Sequence, residues 1–378
     1  MKAIPTLVIS TCGLLVLGLV MLYSSRMADK GAHFMLLQMA WAGVGIFACV
    51  IAGATDYQRL RRWSWVFLAI AVIMLVLVLF PNIGRKIGGA RRWFSFGPVN
   101  FQPSEFAKLA LIIGVAAYCD WQRRHMGEFW RGIAWPSALI GCVLLLIFIE
   151  PDRGTTILMG AVTGTMLIVA GVKLRMVIPP LLLAAGGIAW SIYHDPVRMA
   201  RVESWLKLIQ LDPDVRITDA DWQVWQGLLA FVAGGVDGVG LGEGRQKLGF
   251  IPEHHTDFIL PVIGEELGLV VTLGVVLAFI ALFCSGVWIA WRARDTFGQL
   301  LACGVTFLIG FQAFINIAVV TSILPNKGLP LPFISYGGSN LLMTLTALGV
   351  LISVARQIES PLPLVQPTPS RALPLTTT

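Results

Sequence analysis

The amino-acid sequence predicts an all-α, polytopic membrane protein with about ten transmembrane helices and one large extracytoplasmic loop. Of its 378 residues, 56% are hydrophobic and only 13% are charged. A soluble chain of this length could not cover so much apolar surface with so few charged side chains. The apolar runs are also continuous, which argues against both a membrane β-barrel and a disordered chain.

Ten segments have the roughly 20 apolar residues that a membrane-spanning helix requires. These segments are 5–23, 33–54, 63–80, 103–119, 133–149, 154–172, 174–193, 259–290, 297–322 and 337–356. The first is too long for a signal peptide and no small-residue cleavage site follows it, so we expect it to remain as a span. The spans make a single transmembrane domain over 1–356, and the Pro- and Thr-rich segment 357–378 is predicted to be a disordered cytoplasmic tail.

Charged residues predict the orientation of the spans. Thirteen Lys and Arg residues fall on the side that carries both termini, against eight in the short loops opposite, which places both termini in the cytoplasm. The formal net charge of +7 therefore reflects topology, and no nucleic-acid partner is expected. All six cysteines lie within or beside apolar segments, so no disulfide framework is expected.

The long loop at 194–258 falls on the outer side. Within 198–209, apolar side chains recur on one helical face, which is typical of a helix lying in the membrane surface. Residues 222–233 are apolar but too short to span, which is compatible with a segment that enters the membrane and returns. The glycines at 234–244 lack the other features of a nucleotide-binding loop and indicate tight turns instead.

A polar cluster, Glu253-His-His-Thr-Asp257, precedes the eighth span. Its spacing differs from that of zinc sites, which favours a polar loop end over a metal site. Asp257 differs from its neighbours because an almost uninterrupted apolar run follows it. A carboxylate that is partly desolvated at the mouth of a span can act as a general base.

Ionisable residues also lie within the predicted spans. Glu105 and Lys108, in the segment 102–108 that opens the fourth span, are three residues apart and therefore share a helix face. They form either an ion pair that locks helices together or a contact to a substrate, and the sequence favours neither. Glu265 and Glu266 fall inside the eighth span, where at least one of them must face the protein interior or water.

Several cations lie on the outer side, against the topology rule. The 81–102 loop holds four of them, and Arg92 adjoins Trp93 within it. These cations either attract anionic headgroups or bind a substrate phosphate. A guanidinium is well suited to the second role, because it can bind phosphate through two N–H groups. The Pro- and Gly-rich 325–339 loop adds Lys327, and it must be buried in protein or line a cavity because it cannot be helical throughout. Together these features fit a lipid-phosphate enzyme and a transporter equally well.

Three parts of the sequence resemble the SEDS family (shape, elongation, division, sporulation). The matching stretches are Gly89-Ala-Arg-Arg-Trp93 with Phe101-Gln-Pro-Ser-Glu-Phe-Ala-Lys108, Gly240-Leu-Gly242 with Ile251-Pro-Glu-His-His-Thr-Asp-Phe-Ile259 and Ile263-Gly-Glu-Glu-Leu-Gly268, and Leu329-Pro-Leu-Pro-Phe-Ile-Ser-Tyr-Gly-Gly338. The similarity covers most of the chain from 89 to 356.

Within this family the chain resembles the FtsW branch more than the RodA branch. The similarity is carried by Gly242-Glu-Gly-Arg-Gln-Lys247 and Leu324-Pro-Asn-Lys-Gly328. Asn326 stands where that branch usually has Thr, and Glu150 stands where Gln is usual.

The resemblance implies a peptidoglycan glycosyltransferase that polymerises lipid II into glycan strands on the outer face of the bacterial cytoplasmic (inner) membrane. It implies septal synthesis during cell division, with a class B penicillin-binding protein (a transpeptidase) and other divisome proteins as partners. The matched catalytic position is Asp257, the general base of an inverting displacement with undecaprenyl pyrophosphate as leaving group. The alternatives are an elongation polymerase of the RodA type, a lipid II flippase and a division scaffold.

The residue inventory agrees with such chemistry. A sugar hydroxyl needs a base, and positive charge can stabilise a departing pyrophosphate without the second carboxyl group of a glycosidase. Substrate contacts are predicted at Arg92, Trp93, Gln102, Glu105, Lys108, His255, Thr256, Lys327 and Ser335. No residue is predicted to ligate a metal ion, and a requirement for Mg²⁺ or Mn²⁺ is left open.

Overall fold

The computed structural model describes residues 3–25, 31–87, 90–97, 99–209, 219–246, 250–251 and 255–359. Over these residues the chain forms twelve α-helices: α1 (Ala3–Ser25), α2 (Gly31–Ala54), α3 (Gln58–Leu79), α4 (Pro103–Trp121), α5 (Trp135–Ile149), α6 (Arg153–Val169), α7 (Leu174–Tyr193), α8 (Pro196–Ile209), α9 (Asp219–Gly234), α10 (Ile259–Arg292), α11 (Thr296–Val320) and α12 (Gly338–Glu359). Three short strands, β1 (Arg85–Ile87), β2 (Ala90–Phe96) and β3 (Val99–Phe101), lie between α3 and α4, and a π-helical turn (Phe129–Ala134) precedes α5.

All ten predicted spans are helical, as α1 to α7 and α10 to α12. Within the described ranges, eight helices are long and apolar enough to cross a membrane. The two remaining spans differ because α4 carries the charged residues Glu105, Lys108 and Asp120, and α6 is only 17 residues long. The prediction of an all-α, polytopic membrane protein is confirmed. The domain boundary at 356 stays a prediction, since α12 continues to Glu359 and residues 360–378 lie outside the described ranges.

The 81–102 loop forms a small antiparallel sheet in the order β1–β2–β3, which the sequence analysis did not anticipate. Strand β2 contacts α3 and α4, and β3 contacts α12. The sheet therefore rests on the outer end of the helix bundle, and it holds Arg92 and Trp93 of β2 in place there.

Helices α4, α11 and α12 form the centre of the bundle, since most of their residues are buried. Helix α7 lies at the periphery, and Val177 is its one buried residue. Helix α2 packs closely along α12: a Cβ atom added at Gly349 would lie 2.3 Å from the carbonyl oxygen of Cys49. Small residues allow helices to approach this closely in a membrane.

Helix α10 is broken at Gly268, whose φ of +75° lies in the left-handed region that favours glycine. The glycine-rich segment 234–246 docks at this break. The backbone N–H of Gly240 donates to the carbonyl of Glu266 at 3.0 Å, and that of Leu269 donates to the carbonyl of Gly235 at 3.0 Å. The segment is thus held between two parts of one helix.

The carboxylates of Glu265 and Glu266 explain why this segment stays docked. Both side chains are buried. The backbone N–H of Arg245 donates to Glu265 Oε1 at 2.8 Å, and that of Gly242 donates to Glu266 Oε2 at 3.0 Å. Both residues therefore face the protein interior and serve as acceptors for an otherwise unpaired loop backbone.

The long loop before α10 contains the helix predicted within 198–209, as α8, and a second helix, α9, over the apolar residues 222–233. In α8, the indole of Trp205 donates to the carbonyl of Ser322 at 2.9 Å, so this helix lies against the loop after α11. Helix α9 packs along the first part of α10, where Gly227 meets the ring of Phe258. Helix α8 closes one side of the candidate site, where Arg198, Arg201 and Val202 lie.

Candidate active site

Two cavities share a wall at the outer end of the bundle. The larger cavity has a volume of about 520 Å³ and the second, called the basic cavity below, a volume of about 310 Å³. Four residues line both of them: Arg92, Asp152, Asp257 and Gly328. The carboxylate of Asp257 is therefore accessible from either side, which suits a group that must meet two substrates.

The turn that carries Asp257 is held by α11. Asn316 is 2% exposed, and its side-chain amide donates to the carbonyl of Asp257 at 2.7 Å and to the carbonyl of Leu329 at 2.7 Å. One buried amide thus ties this turn, which carries the predicted general base and is called the catalytic turn below, to the 325–339 loop. The sequence analysis passed over Asn316 because a single polar residue in an apolar span has no motif to mark it.

Gly328 supplies the space that the Asp257 side chain occupies. A Cβ atom added at Gly328 would lie 2.4 Å from Asp257 Oδ2. Any larger residue at 328 would displace the carboxylate, so the glycine is needed for close approach and not for backbone freedom.

The larger cavity collects most of the predicted substrate-binding residues. Its lining includes Arg92, Trp93, Gln102, Glu105, His255 and Thr256, together with Trp41, Tyr336 and Asn340, which the sequence analysis did not single out. Aromatic rings and amide groups dominate this wall. Such a mixture suits a sugar, which offers apolar ring faces and a rim of hydroxyl groups.

Arg92 is positioned by backbone carbonyls. Its Nε donates to the carbonyl of Glu150 at 2.7 Å, and Nη2 donates to the carbonyl of Pro151 at 2.6 Å. A guanidinium has five N–H donors, so the remaining donors of Arg92 can bind a ligand in either cavity.

Glu105 and Lys108 form a buried ion pair of 2.8 Å. Asn340 donates to Glu105 Oε2 at 3.0 Å, and Lys108 donates to Gln312 Oε1 at 3.2 Å. The amide of Gln312 in turn donates to the carbonyl of Pro330 at 2.8 Å. Of the two alternatives that the sequence left open, the structure favours the ion pair that joins helices. Glu105 still lines the larger cavity, whereas Lys108 lies behind it.

Ser335 is buried and is absent from the lining of both cavities. Its hydroxyl donates to the carbonyl of Thr256 at 2.6 Å and accepts from the backbone N–H of Leu331 at 2.8 Å. The backbone N–H of Tyr336 donates to the carbonyl of His255 at 3.0 Å. Ser335 therefore holds the 325–339 loop against the catalytic turn, and its predicted substrate contact remains untested.

The basic cavity concentrates positive charge. Its lining includes the cations Arg92, Arg153, Arg198, Arg201 and Lys327 and the carboxylates Asp152 and Asp257. Arg198 and Arg201 come from α8, which the sequence analysis predicted only as a helix lying in the membrane surface. Asp195 neutralises Arg198 in part, at 2.6 Å. A net excess of guanidinium and ammonium groups around a cavity of this size favours a phosphate ligand.

Burial lowers the pKa of Lys327 to about 8, while Asp152 acts in the opposite direction and Arg153 adds to the lowering. Its ammonium group thus sits where its charge is costly unless an anion is bound. Asp152 caps α6, because its Oδ1 accepts from the backbone N–H of Thr155 at 3.0 Å.

Glu150 lies beneath Arg92 and is fully buried. Neither of its carboxylate oxygens has a hydrogen-bond partner among the described residues. Burial raises the pKa of Glu150 to about 8, the charge of Asp152 raises it further, and Arg92 lowers it. A protonated Glu side chain is uncharged, as is the Gln that the resembled family usually has at this position.

The described part of the chain contains no group of three or more metal-ligating side chains. Glu253 and His254 of the polar cluster lie outside it. Mg²⁺ commonly binds through one or two carboxylates and substrate phosphates, and Asp152 and Asp257 are the carboxylates at the shared wall. The open requirement for Mg²⁺ or Mn²⁺ thus stays a prediction.

A family comparison decides the identity of this architecture. The model of the FtsW, RodA and SpoVE family, described as cell cycle protein, matches residues 5–360. The chain belongs to this family. Members of the family carry the names of division, shape and sporulation proteins, in agreement with the resemblance drawn from the motifs.

Relatives place the chain within the family. A probable peptidoglycan glycosyltransferase FtsW from Trichlorobacter lovleyi is 40% identical over 348 residues, which cover 90% of each chain. Stage V sporulation protein E from Bacillus subtilis is 36% identical over 356 residues, which cover 93% of this chain and 96% of the relative.

Solved structures share the fold. A chain from a peptidoglycan synthase complex that coordinates polymerization and crosslinking superposes with a TM-score of 0.77 at 27% identity, covering 94% of this chain and 98% of the other. The rod shape determining protein RodA of Thermus thermophilus superposes with a TM-score of 0.68 at 25% identity, covering 94% and 97%.

Proposed function

We propose that this chain is a peptidoglycan glycosyltransferase that polymerises lipid II at the outer face of the bacterial cytoplasmic membrane. The observation that carries the proposal is the position of Asp257 in the wall between a polar, aromatic cavity and a basic cavity. A transferase for two lipid-linked sugars needs one site for each substrate and a base between them. The relatives named peptidoglycan glycosyltransferase FtsW support this activity.

The basic cavity suits the donor, a glycan strand linked to undecaprenyl pyrophosphate. Its cations would hold the two phosphates and stabilise the negative charge that develops as the bond from the anomeric carbon to the pyrophosphate oxygen breaks. No acid is then needed to protonate the leaving group. Lys327 and Arg201 are the contacts that we expect to matter most, because the other three cations already bind backbone carbonyls (Arg92), Ser191 (Arg153) and Asp195 (Arg198).

The larger cavity suits the acceptor sugar of lipid II. Trp93 and Gln102 would orient the sugar so that its hydroxyl points at Asp257. Asp257 takes the proton of that hydroxyl while the oxygen attacks the anomeric carbon of the donor from the face opposite the pyrophosphate. The result is one inverting displacement, with the proton on Asp257 and the electron pair of the broken bond on the leaving pyrophosphate.

Packing beneath the cavities supports an enzyme over a flippase. In the described residues, the Glu105–Lys108 network closes the floor, and α4 packs on α11 directly below it. A Cβ atom added at Gly304 would lie only 2.5 Å from the side chain of Ile112. A flippase needs a polar path across the whole membrane, whereas α4 and α11 meet here through close-packed apolar side chains.

The partner proposed for this chain is a class B penicillin-binding transpeptidase, within the division machinery at the septum. The structural similarity to a chain of a peptidoglycan synthase complex supports such a partner. The similarity to relatives named FtsW supports a division role over elongation. The charge bias supports cytoplasmic termini.

Purified protein with fluorescent lipid II tests the function. Polymer formed in detergent by the wild type, and reduced about 10²–10⁴-fold by Asp257→Asn at unchanged melting temperature, supports the enzyme and the general base. Transport of lipid II across vesicles without polymer would support a flippase instead. Near-normal polymer from Asp257→Asn would remove Asp257 from the catalytic role.

A further inference from the structure

A third cavity lies at the opposite membrane face from Asp257. It has a volume of about 360 Å³ and opens between α3, α4 and α5. We call it the aromatic pocket, and its walls include Trp65, Tyr118, Trp121, Arg131 and Trp135. The three tryptophans are 49%, 70% and 64% exposed in chain order, so in a bilayer they face lipid.

The segment that forms one wall of this pocket has a specific, irregular conformation. It begins after α4, buries Met126 at 2% exposure, and enters the π-helical turn Phe129–Ala134. A Cβ atom added at Gly132 would lie 2.2 Å from the carbonyl oxygen of Met126, so the turn closes tightly on the loop. π-Helical turns are rare and are frequently found at functional sites.

This conformation fixes Arg131 at the rim of the pocket. The hydroxyl of Tyr118 donates to the carbonyl of Arg131 at 2.8 Å. The guanidinium of Arg131 approaches Glu128 only to 4.0 Å, which is beyond hydrogen-bonding distance. Arg131 lines the pocket and its side chain is 50% exposed, so its N–H groups are accessible to a ligand.

The charge around the pocket is strongly unbalanced. Five arginines lie on this face near the ends of α3, α4 and α5: Arg61, Arg62, Arg123, Arg124 and Arg131. The nearby carboxylates are Asp120, which pairs with Arg61 at 2.9 Å, and Glu128. His125, at 4.0 Å from Glu128, is the remaining titratable group of the loop. The surroundings favour an anion.

We propose that the aromatic pocket binds the headgroup of an anionic phospholipid of the cytoplasmic leaflet. A guanidinium grips a phosphodiester through two parallel N–H donors, and tryptophan indoles prefer the depth of the lipid ester groups. Basic pockets between spans on the cytoplasmic side are known to take such lipids in general. A zwitterionic lipid brings an ammonium group to the same arginines and is disfavoured.

The test is native mass spectrometry of the purified full-length chain titrated with phosphatidylglycerol and, separately, phosphatidylcholine. The wild type should retain phosphatidylglycerol in preference. Arg131→Gln should weaken its apparent affinity about tenfold, since a charge-assisted hydrogen bond is lost. The matched control Arg124→Gln removes the same charge from the same loop outside the pocket, and its affinity should stay within about twofold of the wild type.

Aromatic variants test the pocket separately from charge. Trp135→Leu should weaken lipid retention, whereas Trp130→Leu, which is equally exposed on the same segment but outside the lining, should not. Melting temperatures without added lipid show that each variant is folded. Equal losses in Arg131→Gln and Arg124→Gln, or equal retention of the two lipids, would overturn the proposal in favour of general surface attraction.

Two further outcomes distinguish other occupants. Glycerol phosphate that competes as well as the intact lipid would show a phosphate site in place of a lipid site. A photoreactive residue introduced in place of Trp135 should give a lipid adduct in membranes, and a protein adduct there would assign the pocket to a partner helix. Neither result would affect the proposed polymerase, whose cavities lie at the other membrane face.

Discussion

Asn316 donates its side-chain amide to the backbone carbonyl of Asp257 at 2.7 Å. The same amide reaches the carbonyl of Leu329, so α11 fixes the catalytic turn and the 325–339 loop in one step. The backbone of Asp257 is therefore held by the bundle centre, although its sequence neighbours lie in the long loop before α10.

Gly328→Ala is expected to lower polymerisation at least about tenfold, because the added Cβ would lie 2.4 Å from Asp257 Oδ2 and displace the carboxylate from its reactive position. Initial rates on lipid II measure the effect. Gly141→Ala is the matched control, since its Cβ would meet no heavy atom within 4 Å and Gly141 lines neither cavity. Equal rates for the two variants would argue against the close contact.

Lys108→Met should reduce stability more than it reduces lipid II use. It leaves Glu105 buried without its partner, and breaking a buried ion pair typically costs about 3–5 kcal/mol in the free energy of unfolding. Melting temperature in detergent and KM for lipid II separate the two effects. Adding Glu105→Gln should restore part of the stability. A stable Lys108→Met protein with a raised KM would instead support direct contact with pyrophosphate.

The activity should decline as the pH rises through about 8, the value to which burial lowers the pKa of Lys327. Above that pH the folded protein loses the ammonium charge that we propose for pyrophosphate binding, although the unfolded chain still holds the proton. Lys327→Arg keeps its charge at these pH values, so its rate should persist further into the alkaline range. Lys86→Arg, on the exposed strand β1, is the control and should leave the profile unchanged.

Glu150→Gln should change how stability depends on pH. Burial raises the pKa of Glu150 from its ordinary value of 4.5 to about 8, so between these values the folded protein keeps a proton that the unfolded chain has lost. Stability therefore falls as the pH rises across that range and levels off above it. Glu150→Gln should flatten this fall in a series of melting curves. Glu128→Gln, at an exposed position, should reproduce the wild-type curve, and an unchanged slope in Glu150→Gln would place the proton elsewhere.

The sequence predicted the spans, and also the carboxylate and the cations of the site, because both kinds of feature leave strong local signals. Long apolar runs mark helices, and charges that oppose the topology rule, such as Arg92 and Lys327, stand out against them. Arg198 and Arg201 could not be assigned to the site in this way, because on an amphipathic surface helix their charge has an ordinary explanation. Only the packing of α8 against the loop after α11 brings them to the basic cavity.

Other parts of the site depend on contacts between distant segments. Gly328 is one glycine among 39, and nothing local shows that it lies under a carboxylate 71 positions earlier in the chain. The sequence analysis missed the three short strands and predicted a basic loop over 81–102. The strands depend on pairing with one another and on contacts with α3 and α12, and neither is visible in the local sequence. Ser335 is the opposite case. Its motif led to a predicted substrate contact, whereas its hydroxyl is buried and hydrogen-bonded to backbone groups.

The break at Gly268 divides α10 into a short arm, 259–267, and a long arm, 269–292. The short arm is clamped at its outer end by Asn316, through the turn before it, and at its inner end by the glycine-rich segment that Glu265 and Glu266 retain. The first residue of the long arm, Leu269, donates to the carbonyl of Gly235, so the glycine-rich segment holds the joint itself as well. The direction of the short arm, and with it the position of Asp257, is therefore set by these contacts and does not follow from the direction of the long arm.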